Sequence, residues 1–160
     1  MVFLPNNSNQ KYKMIKVFGH PGSKSGYIKK LINDKFIGTL KSNNETYEFG
    51  NKINIDSNTL YVYVDRKFRY MIQSLYKIRN KFGISNDISF AKFHDCQYCN
   101  NCNNDCECNL FEYIDMSPRT YWEKYSSSWI ELSNKYNNVI VVFFDNIIKN
   151  KQILFDKIVT

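Results

Sequence analysis

The sequence predicts an α/β domain built on a parallel β-sheet that helices cover on both faces. Residues 59–65 and 138–145 are almost continuously apolar, which is typical of strands buried on both sides of a parallel sheet. Segments in which apolar residues recur with helical spacing alternate with the strand candidates. The chain of 160 residues is long enough for one domain with its own core.

The elements are predicted in an order that alternates strand and helix. They are a loose tail at 1–10, followed by a single domain over 11–160 that contains a strand at 12–18, a helix from about 25, a polar turn-rich stretch at 37–58, a strand at 59–65, a helix over about 67–82, a Cys-rich loop at 94–110, a helix from about 117, a strand at 138–145 and a last helix over about 146–157.

Local signals fix several of these boundaries. Gly19, Pro21 and Gly22 end the first strand, and we expect Ser25 to cap the helix that follows. The pair Ser117-Pro118 starts a later helix, since proline fits its first position. That helix carries an aromatic and aliphatic stripe that we interpret as core packing: Trp122, Tyr125, Trp129, Leu132 and Tyr136.

The loop at residues 19–26, GHPGSKSG, joins the first strand to the first helix and predicts an anion-binding site. In parallel sheets, ligands bind at the carboxyl ends of the strands. Glycines let backbone N–H groups turn toward an anion, and the helix N-terminus favours negative charge. Lys24 would add a point charge and Ser25 a hydroxyl. The alternative is a turn that only connects two elements.

We call the loop at 19–26 the first arm of the predicted site. A second arm is predicted where the strand at 59–65 ends. Arg66 lies at the strand tip, and Ser74 follows two turns into the next helix. The sequences KSG at 24–26 and RKFRYMIQSLY at 66–76 together resemble the two nucleotide-binding motifs of the sulfotransferases that use 3′-phosphoadenosine 5′-phosphosulfate. The segment from Tyr121 to Asn150 resembles the downstream part of the same family, including the aromatic and acidic pair Phe144-Asp145.

The resemblance implies a P-loop-like parallel sheet and transfer of a sulfuryl group to an acceptor hydroxyl or amine. It implies that Lys24 is catalytic and stabilises the leaving phosphate. The cosubstrate would be held at its 5′ end by the first arm and at its 3′-phosphate by the second. The implied cosubstrate-binding residues are Gly22, Ser23, Lys24, Ser25, Gly26, Tyr27, Arg66 and Ser74.

The general base is left open by the sequence. His20 lies inside the loop and is the candidate catalytic base, the alternative being a solvent-exposed turn residue; Glu45 and Glu48 are other candidates. Tyr27, Ile28 and Lys29 stand where the family has two threonines and a tryptophan, so a form with reduced or lost activity is also left open. Two other functions compete: a P-loop kinase or NTPase, in which Asp65 ends a Walker B strand, and a noncatalytic binding module.

All five cysteines lie between residues 96 and 108, in the sequence CQYCNNCNNDCEC. C-x2-C spacing brings thiolates close enough to share a metal ion. We predict a structural zinc site and leave disulfides, free thiols and an iron–sulfur cluster as alternatives. The candidate ligands are Cys96, Cys99, Cys102, Cys106, Cys108 and His94.

The net charge and the hydropathy pattern indicate which kinds of partner to expect. The net charge of +7 suits an anionic ligand. The abundance of Asn, Lys and Ile beside a single alanine, Ala91, is typical of an A+T-rich genome and weakens that argument. We expect a nucleotide cosubstrate and an unknown acceptor, and do not expect nucleic acid. No apolar run reaches membrane-spanning length, so we expect a cytoplasmic protein; the sequence does not indicate an oligomeric state.

Overall fold

The computed structural model describes residues 12–36, 48–82, 86–95 and 117–159. Its helices and strands are β1 (Met14–Phe18), α1 (Ser25–Lys35), a 3₁₀ turn (Gly50–Lys52), β2 (Thr59–Asp65), α2 (Phe68–Lys77), a second 3₁₀ turn (Arg79–Phe82), α3 (Phe90–Asp95), α4 (Pro118–Lys135), β3 (Val139–Phe143), α5 (Phe144–Ile147) and α6 (Gln152–Val159). The predicted tail at 1–10 and the five cysteines lie outside the described residues.

The three strands form one parallel sheet with the order β1-β2-β3. In the register, Val17 lies opposite Val62, and Val62 lies opposite Ile140. All seven residues of the central strand are buried, as expected for a strand that is covered on both faces. The prediction of a parallel α/β sheet is therefore confirmed for the described part of the chain.

Two hydrophobic clusters cover the two faces of the sheet. Helices α2, α3 and α4 pack on one face, where Phe18, Tyr61 and Tyr63 point into a cluster with Trp129. Helices α1, α5 and α6 pack on the other face over a cluster that is mostly aliphatic and includes Phe36 and Phe144. Because alternate strand residues point to opposite faces, one strand supplies both clusters: Tyr61 and Tyr63 to the first, Leu60, Val62 and Val64 to the second.

Several boundaries and one cap differ from the predictions. The first strand begins at Met14 rather than at residue 12, the helix predicted over 67–82 ends at Lys77 and gives way to a 3₁₀ turn, and the last helix is two helices. Ser25 is the first helical residue and not the cap. The N-cap is Lys24, which makes no side-chain capping bond. By contrast, α4 begins at Pro118 as predicted, and Ser117 is its N-cap, with its hydroxyl accepting from the backbone N–H of Thr120.

None of the helices in the described ranges is both long and apolar enough to cross a membrane.

Candidate functional site at the carboxyl edge of the sheet

The carboxyl ends of β1, β2 and β3 lie side by side, because parallel strands end at the same edge. The first leads into the loop at 19–24, the second into Arg66 and the third into Phe144. Both predicted arms of the nucleotide site therefore lie at one edge of the sheet, where parallel α/β proteins bind their ligands.

Two glycines let the loop close tightly. A Cβ on Gly19 would lie 2.3 Å from the Ser23 hydroxyl oxygen. Gly22 has a φ of +88°, and a Cβ there would lie 2.6 Å from the backbone oxygen of Met71 in α2. The loop is thus folded on itself at Gly19 and pressed against α2 at Gly22. Its backbone also closes through a hydrogen bond from the Ser23 N–H to the His20 oxygen, 2.8 Å long.

Lys24 ends this loop in a left-handed conformation, with φ 69° and ψ 26°. This conformation costs a non-glycine residue about 1 kcal/mol or more. The side chain is exposed, and no hydrogen bond or ion pair holds it within the described part of the chain. The strain is therefore carried at a position whose amine is available to an external anion, and strained residues of this kind concentrate at ligand sites.

Arg66 joins the two arms. Its Nη1 donates to the backbone oxygen of Gly22 at 3.1 Å, to that of Tyr70 at 3.2 Å and to the hydroxyl of Ser74 at 2.6 Å. The structure therefore brings together Arg66 and Ser74, which the sequence motif predicted as partners in one site. The same bonds attach the first loop to α2, so the guanidinium also has a structural role.

The other two nitrogens of Arg66 are less engaged. Nε is buried and makes no hydrogen bond, although it lies 3.9 Å from Asp145 Oδ1. Nη2 makes no hydrogen bond to any described residue. Burial lowers the pKa of the guanidinium from its usual value, and the charge of Asp145 opposes that change; an arginine remains protonated in either case. Arg66 thus keeps its positive charge and part of its donor capacity.

Aromatic rings line the same edge. The Arg66 guanidinium lies over the ring of Phe144, 5.0 Å from its centroid. Tyr27, 38% exposed, meets Phe144 edge-on at 5.8 Å. Phe144 therefore touches both arms, and the sequence indicated it only as the end of a motif. Gly26 is exposed next to Tyr27, and no heavy atom lies within 4 Å of where its Cβ would be.

His20 is enclosed rather than exposed, so the alternative of a solvent-exposed turn residue is wrong. The side chain is 1% exposed, and its ring packs edge-on against Tyr121 and Tyr125 of α4. Nδ1 donates to the backbone oxygen of Pro21 at 2.6 Å, while burial lowers the pKa of the imidazole to about 4. This enclosure disfavours the role of general base, which requires contact with the acceptor group.

Asp65, at the end of β2, belongs to a buried network and not to the open edge. Its Oδ1 accepts hydrogen bonds from the hydroxyl of Tyr63, the backbone N–H of Arg66 and the hydroxyl of Ser126. Burial raises the pKa of this carboxyl above its usual value, and the hydrogen bonds oppose the rise. The network attaches the end of β2 to α4. Sequence spacing alone could not reveal it, because Ser126 lies 61 residues away.

Of the predicted metal ligands, the structure describes only His94. Cys96, Cys99, Cys102, Cys106 and Cys108 lie outside the described residues, as does Glu45. His94, within α3, packs against the rings of Phe68 and Phe90. Within the described ranges, no three His, Cys, Asp or Glu side chains are grouped closely enough to hold a metal ion.

Comparison with protein-family models, with curated proteins and with solved structures finds no match to this chain.

Proposed function

We propose that the chain binds 3′-phosphoadenosine 5′-phosphosulfate at the carboxyl edge of the sheet and transfers its sulfuryl group to an acceptor hydroxyl or amine. The supporting observation is the junction at Arg66, where both arms of the site meet in hydrogen bonds to Gly22 and Ser74. Around this junction, polar groups remain without partners among the described residues: the Lys24 amine, the Ser25 hydroxyl and Arg66 Nη2.

Transfer of the sulfuryl group would require these residues to stabilise negative charge. As the acceptor oxygen or nitrogen bonds to sulfur, the bond from sulfur to the 5′-phosphate breaks, and charge develops on that phosphate. Lys24 and the first N–H groups of α1 would stabilise this charge. Arg66 and Ser74 would hold the 3′-phosphate by charge-assisted hydrogen bonds. The acceptor's proton passes to a base that the described residues do not identify.

The kinase or NTPase alternative is less well supported by the same geometry. A Walker B aspartate acts on a metal ion that the hydroxyl of the Walker A serine also holds. Here three hydrogen bonds to Tyr63, Ser126 and the Arg66 backbone engage Asp65 Oδ1. Ser126 ties the carboxylate to α4, and none of the three partners belongs to the loop that carries Ser25.

Calorimetric titration with adenosine 3′,5′-bisphosphate, and separately with ATP and Mg²⁺, tests the proposal. The discriminating variant is Lys24→Gln, with Lys30→Gln as its control. Both lysines are exposed on or beside α1, and both substitutions remove one positive charge. We expect the bisphosphate to bind, with affinity reduced about tenfold or more in Lys24→Gln, since a charge-assisted bond contributes about 1.5–3 kcal/mol.

The control should bind within about twofold of the wild type, because exposed charges beyond about 8–10 Å are largely screened at physiological salt. A response to ATP and Mg²⁺ alone would favour a kinase or NTPase. No response to either nucleotide would leave a noncatalytic module. Arg66→Ala is a poorer test, because it also removes the three hydrogen bonds that Nη1 makes.

A further inference from the structure

Asp145 lies beside the arginine that the proposed site uses. Its Oδ1 is 3.9 Å from Arg66 Nε, and the two side chains are 23% and 13% exposed. This distance exceeds the 2.7–3.2 Å typical of a hydrogen bond. The two groups therefore attract each other through charge without being locked in one geometry. Such a contact can be exchanged for a better one at little structural cost.

The backbone of Asp145 is positioned by its neighbour Phe144. It follows Phe144 directly after β3, and Phe144 is buried between the Arg66 guanidinium and Tyr27. The packed ring thus places the backbone of Asp145 near the arginine. Meanwhile, Arg66 Nη1 is held by its hydrogen bonds to Gly22, Tyr70 and Ser74. The arginine cannot turn away from Asp145 without breaking these bonds.

A carboxylate next to the arginine has two effects on an anionic ligand. It neutralises part of the charge that the ligand would use, and it repels the ligand directly. A phosphate monoester carries between one and a half and two negative charges at pH 7, about twice the charge of a carboxylate. A phosphate monoester can therefore displace the carboxylate from Arg66, whereas a singly charged anion has no such advantage.

We propose that Asp145 is an internal counter-ion that competes with phosphate for Arg66 and sets the affinity and charge selectivity of the site. This inference rests on the proposed function for the identity of the ligand, a nucleotide that carries a phosphate monoester. The competition itself requires only that an anion reaches Arg66. Asp145 is a specificity-determining residue in this account and takes no part in the transfer step.

The test compares Asp145→Asn, Asp145→Glu and the control Asp34→Asn by calorimetric titration with adenosine 3′,5′-bisphosphate and with inorganic phosphate. Asp145→Asn keeps the shape of the side chain and removes its charge, so the affinity for both anions should rise about fivefold or more. Asp145→Glu keeps the charge, so it should bind no more tightly than wild type. Asp34 is exposed and lies nine residues beyond Ser25 along α1, about 13 Å along the helix axis. Asp34→Asn should change the affinity less than twofold.

The outcomes separate the two proposals. If the bisphosphate binds wild type and Asp145→Asn equally, the counter-ion is refuted and the proposed function stands. If Asp145→Asn gains affinity for inorganic phosphate while no variant binds the bisphosphate, the proposed function fails and the counter-ion stands. If neither anion binds any variant, both are refuted. A gain that Asp145→Glu shares would also refute the counter-ion, because the charge would then be irrelevant.

Discussion

Gly22, in the first loop, and Gly26, at the start of α1, allow the same substitution to be made at two nearby positions, with opposite expected effects on stability. Gly22→Ala would place a Cβ 2.6 Å from the Met71 backbone oxygen at a φ of +88°. The contact is with helix backbone, so no side chain can move aside to relieve it. A Cβ on Gly26 would meet no heavy atom within 4 Å, and Gly26 lies in the first turn of α1.

The magnitudes follow from three terms. A left-handed alanine costs about 1–2 kcal/mol, and an overlap in a packed region costs about 1–3 kcal/mol. Alanine also lowers the conformational entropy of the unfolded chain, which offsets about 0.4–1 kcal/mol of these costs. We therefore expect Gly22→Ala to lower the free energy of unfolding by about 2–4 kcal/mol. Gly26→Ala should raise it by about 0.5 kcal/mol, because alanine is the better helix former.

Urea-induced unfolding, followed by far-UV circular dichroism, measures both free energies, and thermal unfolding provides a second measure. For a chain of this length, Gly22→Ala should lower Tm by about 5–12 °C. A free energy of unfolding within about 0.5 kcal/mol of wild type for Gly22→Ala, or equal destabilisation of both alanine variants, would contradict the close packing of Gly22. The first result would mean that the loop does not press against α2 as described. It would also remove the basis for the hydrogen bond from Arg66 to Gly22.

Two further predictions concern His20 and the cysteines. Burial lowers the pKa of His20 from 6.5 to about 4. The contribution of the neutral imidazole to the free energy of unfolding is therefore fully present above pH 6.5. It is lost as the pH falls toward 4, by up to about 3 kcal/mol. Urea unfolding at pH 7.5 and at pH 4.5 should show a larger loss in wild type than in His20→Phe, and equal losses would contradict the burial of the imidazole. The spacing of the cysteines predicts bound zinc, so metal analysis after purification with reductant should find about one zinc ion per chain; protein without metal would reject the site.

The sequence predicted the elements whose signals are local. Residues 59–65 form β2 with the predicted bounds, because a continuous apolar run suits a strand buried on both faces. Ser117 and Pro118 start α4 as predicted, since the capping hydroxyl and the proline act within one helical turn. The pairing of Arg66 with Ser74 also spans only two turns of backbone, and the motif spacing indicated it.

Features that depend on distant contacts could not be predicted. His20 is polar and lies in a glycine-rich loop, which indicated exposure, but its ring is covered by Tyr121 and Tyr125 from about a hundred residues later. A weak signal was present, since His20 continues the alternation of the buried Phe18. Lys24 took the N-cap position expected for Ser25 because the loop closes between Gly19 and Ser23, a contact that propensity does not describe.

The end of β2 shows how two adjacent residues of opposite charge can serve different purposes. Asp65 accepts hydrogen bonds from Tyr63 of its own strand and from Ser126 of α4, and its burial raises the pKa of the carboxyl. The side chain of Arg66 instead reaches the first loop and α2. Of these two charged side chains, the one that contacts the loop containing Lys24 is therefore the arginine, a cation. A pair of cations suits the phosphates of a nucleotide more than it suits a metal ion, as the proposed function requires.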